Sequence, residues 1–330
     1  MRVWRSMCEV VGVILAGGRG TRLYPVTADG TPKSLVPLFG DETLLSMTLT
    51  RLQATTDRQL LVTHRSTAAQ FRTHASDLGQ LVEPARRDTG PAVAHAVSAL
   101  YERDPNSAVV ITPADHVADE AFTDAIAAAV TAATERDAIV LIGVIPARAS
   151  TGYGYITPAH SAGDRIAPVS GFHEKPDRPT AQTLIDQGAL WNTGVLVAPV
   201  DTLLGAIHDS SLAGFSAAVR SDPSAAYDAA PSISFDYAVL ESYPDLWVLP
   251  TTATWDDVGS WDAFTRAPAA DLLDTPGAPD HSIEDGITVI SDGPTVSTIG
   301  VDKLIIIAWG DEVLVIDPDA SQTVRDLADH

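Results

Sequence analysis

The sequence predicts a doubly wound, mostly parallel α/β sheet of the Rossmann-like kind, followed by a small C-terminal β domain. Three observations carry this. Short, wholly apolar runs alternate with helical stretches as far as residue 145. Such runs read as strands buried on both faces, as in a parallel sheet covered by helices. Beyond residue 282, short apolar runs separated by turns follow one another with no helix between them, which is the pattern of a β unit.

The elements follow in order. Val10–Leu15 is the first buried strand and opens into Ala16-Gly17-Gly18-Arg19-Gly20-Thr21-Arg22. Residues 42–53 read as a helix, 58–63 as a strand and 67–76 as a helix. Residues 91–103 form a helix with proline in its first turn, where the missing N–H does no harm. Residues 108–112 are a buried strand running into Pro113-Ala114-Asp115-His116. An Ala-rich helix (119–134) and another buried strand (138–144) complete the alternation. From Thr151 the texture changes, and residues 152–156 and 169–173 read as antiparallel strands around a loop. Residues 195–198 are a strand, 200–207 a short helix, 235–241 a helix and 247–250 an edge strand. The expected domains are a tail (1–9), a main α/β domain (10–266), an Ala/Pro/Asp/Gly-rich linker (267–281) and a β domain (282–330) closing in a helix at 321–328. Met7 stands just before the first strand, so residues 1–6 read as a frayed tail or a start-site artefact.

The chain has 330 residues, 45% of them hydrophobic, enough for one large and one smaller core. No apolar run approaches the roughly 20 residues that span a bilayer. The first ten residues lack a signal-peptide core, and a cytoplasmic protein is expected. The single cysteine, Cys8, excludes an internal disulfide and a cysteine-based metal site. A net charge of −22 argues against nucleic acid and anionic membranes as partners. Eighteen arginines and three lysines stand against 43 acidic residues, which suits a halophilic protein whose self-repulsion is screened by salt. An acidic cytosolic protein from a GC-rich genome fits the same composition. Lys33 and Lys175 lie in Pro-Lys-Ser and Glu-Lys-Pro contexts, where a compact ammonium suits a phosphate site, while Lys303 reads as a surface residue.

The main chemical signal is Gly17-Gly18-Arg19-Gly20-Thr21-Arg22-Leu23, with Pro32 and Lys33 ten residues on. Small residues let backbone N–H groups approach phosphate oxygens, and Arg22 and Lys33 add fixed positive charge. The dinucleotide fingerprint fails because Leu23 stands where glycine is needed, and no Lys-Ser/Thr follows the last glycine as a Walker A loop requires. Asp115 follows a buried strand, at the carboxyl end where ligands of parallel sheets gather, although a helix cap is the plain alternative. Asp257 precedes Val-Gly-Ser and could equally be a turn residue. Two carboxylates together suit Mg²⁺, which keeps several waters and accepts phosphate oxygens.

Residues 15–33 resemble the signature of the sugar-1-phosphate nucleotidylyltransferases, and six further stretches match in order. Glu83-Pro84-Ala85-Arg86-Arg87-Asp88-Thr89-Gly90-Pro91 resembles that family's base-binding segment, and Pro113-Ala114-Asp115-His116 its metal motif. Thr151-Gly152-Tyr153-Gly154-Tyr155-Ile156 is similar to its sugar-binding hairpin. Phe172-His173-Glu174-Lys175-Pro176 and Trp191-Asn192-Thr193-Gly194 resemble its sugar and sugar-phosphate contacts, and Asp257-Val258-Gly259-Ser260-Trp261 its second metal motif. The combination is closest in pattern to members that join GTP to mannose 1-phosphate. It covers residues 10–265 well and the C-terminal β region loosely. One departure is Asp88, where the pattern has asparagine. It touches base reading if that side chain contacts the base, and is otherwise a drift toward acid.

The resemblance implies a set of roles. Arg22, Lys33, Asp115 and Asp257 would be catalytic, with Mg²⁺ on Asp115 and Asp257. Leu15, Ala16, Gly17, Gly18, Gly20, Thr21, Pro84, Arg87, Asp88 and Thr89 would bind the nucleotide. Gly152, Tyr153, Gly154, Glu174, Lys175 and Asn192 would bind the sugar phosphate. His116, His173, Trp191 and Trp261 read as structural, and a homodimer is expected. Three rivals stay open: transfer to another sugar such as glucose 1-phosphate, a catalytically inactive regulatory paralogue, and a GT-A glycosyltransferase, whose Asp-x-Asp signature has only Asp317-Pro318-Asp319 to match it.

Overall fold

The computed structural model describes residues 8–18, 20–160, 166–266 and 269–327. Arg19, most of the expected tail, part of the expected linker and the end of the expected closing helix lie outside them. The chain forms two compact units: residues 1–17, 51–113 and 120–253, and residues 18–50, 114–119 and 254–330.

The first unit is built on a nine-stranded sheet. Its strands run in the spatial order Gly79–Glu83, Arg58–His64, Val10–Leu15, Ala108–Pro113, Leu190–Pro199, Ile139–Val144, Leu246–Thr251, Ala167–His173, Tyr155–Pro158. The first four are mutually parallel, as the apolar runs predict. Ile139–Val144 and Leu246–Thr251 are also parallel. Leu190–Pro199 runs antiparallel to both of its central neighbours, so the sheet is mixed. The sequence marks only residues 195–198 of this strand, because Trp-Asn-Thr-Gly at its start lacks a continuous apolar run. The Tyr155–Pro158 and Ala167–His173 hairpin is antiparallel, as expected. The core packs Val11, Val13, Val109 and Ile111 of the sheet with Val93, Val97 and Leu100 of the Thr89–Arg103 helix. Burial of this kind stabilises by roughly 25 cal/mol per Å² of apolar surface.

The second unit joins three stretches distant in sequence. Its largest sheet has the order Asp280–Glu284, Ile287–Ser291, Leu304–Trp309, Glu312–Ile316, with the middle pair parallel. Val117–Ala118 and Trp255–Asp256 make a short antiparallel ladder. Leu23, Val36, Phe39 and Leu44 share one core with Trp261, Phe264, Ile290, Ile305, Ile307 and Val324. The C-terminal strands and the segment after the glycine loop are thus ordered by the same burial. The chain ends its described part in a 3-10 helix, Pro318–Asp326, started by the Asp317 carboxylate accepting from the Asp319 N–H. No helix among the described residues is long and apolar enough to cross a membrane.

Candidate active site

In the second unit Asp115 and the Asp257–Val258 backbone converge on one ammonium, that of Lys33. Lys33 is 6% exposed and opens the 3-10 turn Lys33–Leu35. Its Nζ lies 2.7 Å from Asp115 Oδ2 and donates to the carbonyls of Asp257 (2.9 Å) and Val258 (3.0 Å). Three acceptors match the three N–H donors of a lysine, so the charge is fixed in place. Gly20 stands against it at φ +69°, and a Cβ there would meet Lys33 Cβ at 2.5 Å. The Gly-x-Gly…Pro-Lys spacing is therefore a close approach of two backbones. Val258, at φ 46°, holds a left-handed conformation that β-branched residues rarely adopt. That turn aims two successive carbonyls at Lys33, and the Val258 N–H is caught by Asp256 Oδ1 at 2.8 Å. Local strain at a site over-determined by its neighbours is common where function needs it.

Burial pushes the Asp115 carboxyl up, but the charges of Lys33, His116 and Arg22 outweigh burial and hold it below the ordinary aspartate value. Its side chain is 37% exposed. Asp257 Oδ1 accepts from the Gly259 N–H at 3.1 Å. Two carboxylates suit a hard cation. No cluster of three or more His, Cys, Asp or Glu occurs among the described residues. A cation held here would complete its shell with water or phosphate oxygens, as Mg²⁺ does. Trp261 and His116 act structurally. Trp261 Nε1 donates to the Tyr24 carbonyl at 2.8 Å, and His116 meets Trp255 edge-on at 5.2 Å.

In the first unit the side chains expected to bind nucleotide after Gly79–Glu83 also carry local hydrogen bonds. Arg87 Nε donates to the Tyr227 carbonyl (2.8 Å) and Nη2 to that of Asp228 (3.4 Å). Thr89 Oγ1 accepts from the Phe235 N–H at 2.9 Å. Asp88, at φ 65° and ψ −172°, caps the following helix by accepting from the Thr89 N–H at 2.7 Å. All three side chains anchor local structure. A Cβ on Gly90 would meet the Ile233 carbonyl oxygen at 2.6 Å, which accounts for glycine there. Arg86, rather than Arg87, reaches the glycine loop, donating from Nε to the Gly17 carbonyl at 3.1 Å. Beside Gly17 lies Glu83, 4% exposed. Burial raises its pKa to about 7 against the lowering effects of Tyr227 and Arg86. Tyr227 donates to Glu83 Oε1 at 3.2 Å. A Cβ on Gly17 would lie 2.9 Å from the other oxygen, Oε2.

The residues expected to bind the sugar phosphate lie in the same unit. Gly154 lies so close to Glu174 that a Cβ would sit 2.6 Å from Oε2. Lys175, at φ 46° and 59% exposed, donates to Glu174 Oε1 at 2.6 Å. Asn192 donates from Nδ2 to Asp236 Oδ1 at 2.7 Å, and its Oδ1 accepts from the Gly194 N–H at 3.1 Å. Burial, helped by the Glu174 charge, raises the Asp236 carboxyl to about 6. Tyr153 packs edge-on to Trp191 at 5.0 Å, and Gly152 N–H donates to Ser150 Oγ at 3.2 Å.

A nucleotidyl transferase family model matches residues 11–273, and a MannoseP isomerase/GMP-like beta-helix domain model matches residues 284–330. The chain belongs to the nucleotidyl transferase family. It is 32% identical to the alginate biosynthesis protein AlgA of Pseudomonas aeruginosa, over 96% of this chain and 71% of that one. It is 31% identical to a mannose-1-phosphate guanylyltransferase of Salmonella muenchen, over 98% of this chain and 74% of that one. Among solved structures it is similar to a Thermus thermophilus protein described as a mannose-1-phosphate geranyltransferase. That match has a TM-score of 0.83 and 31% identity, covering 97% of this chain and 98% of the other.

In this nucleotidyl transferase the four residues expected to be catalytic fall in one unit, and the sugar residues fall in the other. The glycine loop straddles the division, with Leu15 to Gly17 in the first unit and Gly18 to Thr21 in the second. Ala16 is tied to the sheet through its N–H to the Val62 carbonyl at 2.8 Å, and Pro84 directs the chain out of the strand ending at Glu83. Sequence reasoning passed over Asp236 and did not single out Glu83 within its motif. Asp236 lies in a π-helical turn, Asp236–Leu240, an irregularity frequent at functional sites. Its only sequence signal is an acid just before an apolar stretch.

Proposed function

We propose that the chain joins GTP to mannose 1-phosphate, forming GDP-mannose and releasing pyrophosphate. The observation that carries this reading is the fixed Lys33 ammonium, gripped by Asp115 and the Asp257–Val258 turn at the foot of the glycine loop. In the reaction a phosphate oxygen of the sugar attacks the α-phosphorus of GTP in line. One P–O bond forms and the bond to the leaving pyrophosphate breaks. The nucleophile is already anionic, so positioning and charge neutralisation lower the barrier. The backbone from Leu15 and Ala16 through Gly17, Gly18, Gly20 and Thr21 cradles the triphosphate. Arg22 stabilises the leaving pyrophosphate and Lys33 the α-phosphate. Asp115 and Asp257 would hold Mg²⁺, which when bound supplies positive charge between the phosphate groups.

Glu83 supports the choice of base. Guanine offers two adjacent donors, N1–H and the N2 amino group, and a carboxylate is acceptor-only. Glu83 Oε1 accepts from Tyr227, and Oε2 lies beside Gly17. This reading moves base recognition from Asp88, whose side chain caps its own helix, to Glu83. For the sugar, Lys175 takes the phosphate. Glu174, Asn192 and Asp236 take hydroxyls, with the backbone of Gly152, Tyr153 and Gly154. The named guanylyltransferase of Salmonella muenchen supports both halves of the substrate assignment. The same reading has a cytoplasmic homodimer, with the net charge of −22 supporting adaptation to salt.

The test is pyrophosphate release in high-salt buffer with Mg²⁺, crossing GTP, ATP, UTP and dTTP with mannose 1-phosphate and glucose 1-phosphate. Release with GTP and mannose 1-phosphate, abolished by EDTA, is expected. Release with another base would keep the reaction class and overturn the Glu83 assignment, and release with glucose 1-phosphate would overturn the sugar assignment. No release from folded protein would favour a regulatory subunit.

A further inference from the structure

The described C-terminal 3-10 helix reaches back to the glycine loop. Gln322 Oε1 accepts from Arg22 Nη1 at 2.8 Å, a contact across 300 residues of sequence. The other end of the same carboxamide, Nε2, donates to Ser260 Oγ at 2.8 Å. Ser260 Oγ in turn donates to Asp262 Oδ1 at 2.5 Å, and Ser321 Oγ accepts from the Asp262 N–H at 3.0 Å. Arg266 closes the network, pairing with both Asp262 (2.6 Å) and Asp256 (3.0 Å). Asp256 Oδ1 holds the Val258 N–H, and the Val258 carbonyl lies on Lys33. One hydrogen-bonded chain therefore runs from Arg22 through Gln322 to the turn that fixes Lys33. Among the described residues Gln322 is the hydrogen-bond partner of the Arg22 guanidinium.

We propose that Gln322 is a positioning residue for nucleotidyl transfer, which sets the direction of the Arg22 guanidinium while leaving its charge unneutralised. The inference rests on the role given to Arg22 above. A carboxamide suits this place because it accepts from the arginine at one end and donates to the serine at the other. A carboxylate of the same shape would form a charge-assisted pair with Arg22 and compete with an anionic substrate for it. In a chain with 43 acidic residues, glutamine at this contact keeps the arginine available. The C-terminal β region then acts in catalysis as well as in sharing a core with the glycine-loop segment.

The experiment compares Gln322→Ala and Gln322→Glu in the full chain, in wild-type and Arg22→Ala backgrounds, reading kcat, both KM values and the melting temperature. Gln322→Ala is expected to lower kcat about fivefold and Gln322→Glu about fiftyfold, as scaled from hydrogen bonds to charged groups. The melting temperature should hold, and neither change should matter once Arg22 is absent. A purely structural role predicts the reverse order, because glutamate nearly preserves the shape that alanine deletes. Glutamate tolerated as well as alanine, no effect of either, or a shared loss of melting temperature would overturn the proposal. Full turnover by Arg22→Ala alone would instead remove the catalytic reading of Arg22 on which it stands.

Discussion

The two clusters of charged side chains treat their carboxylates in opposite ways. In the second unit Asp115 lies against the Lys33 ammonium and is held ionised below its ordinary pKa. In the first unit Asp236 lies near Glu174 and is pushed up to about 6, with Lys175 only partly offsetting burial and the like charge. One cluster keeps positive and negative charge in balance, beside the loop proposed to hold a polyphosphate. The other crowds acids that can accept from, or when protonated donate to, a polyhydroxyl ligand. The difference is one of neighbours, because both are aspartates with the same intrinsic chemistry.

The strongest way to break this contrast is Lys33→Met. It removes the ammonium from Asp115 and from two carbonyls, and kcat is expected to fall by about 10³, the scale of a lost electrostatic contact to a transition state. Single-turnover kinetics with melting curves would check it, and near-normal turnover would separate Lys33 from the reaction. Next in size is Glu83→Gln. At pH 8, where the Glu83 carboxyl is ionised, it replaces the proposed acceptor of the guanine donors with an amide, and kcat/KM for GTP should drop about 10–100-fold, in line with about 1–3 kcal/mol for a specific base contact.

The same variant tests the buried charge. Folded Glu83 keeps its proton up to about pH 7, against 4.5 for an ordinary glutamate. Its contribution to stability is therefore present below pH 4.5 and lost as pH rises through 7. Relative to wild type, Glu83→Gln should gain on the order of 1–2 kcal/mol between pH 5 and pH 8 in denaturant titrations. His95, whose pKa burial lowers to about 4, slopes the other way.

Asp236→Asn should be milder, raising KM for mannose 1-phosphate about tenfold, as for a lost hydrogen bond to a charged group. It should also remove a titration near pH 6 from the kcat/KM profile of that substrate. An unchanged profile would take Asp236 out of the sugar site. The smallest expected effect is that of salt. Raising KCl from 0.1 M to 2 M should lift the melting temperature by a few degrees, because it screens the net charge of −22. A flat or falling curve would favour the GC-rich explanation of the composition.

Local patterns in the chain suffice for the alternation of strand and helix, for the glycine loop and for the residues proposed to hold phosphate. Those follow from local rules: apolar runs make buried strands, glycine permits close approach, and an acid after a buried strand lies at its ligand-binding end. Gly20 against Lys33 is such a case, legible as a spacing before the contact was seen. Tertiary structure alone decided which carboxyls are perturbed and which side chains are already occupied. Arg87, Asp88 and Thr89 have the right chemistry for a nucleotide, yet carbonyls and N–H groups near residues 227–235 and at the helix start engage them. The partner of Glu83 is Tyr227, 144 residues away, and that of Arg22 is Gln322, 300 residues away. A pKa, a hydrogen-bond partner and the orientation of a guanidinium depend on groups brought close by burial, and no local pattern in the chain records which ones those are.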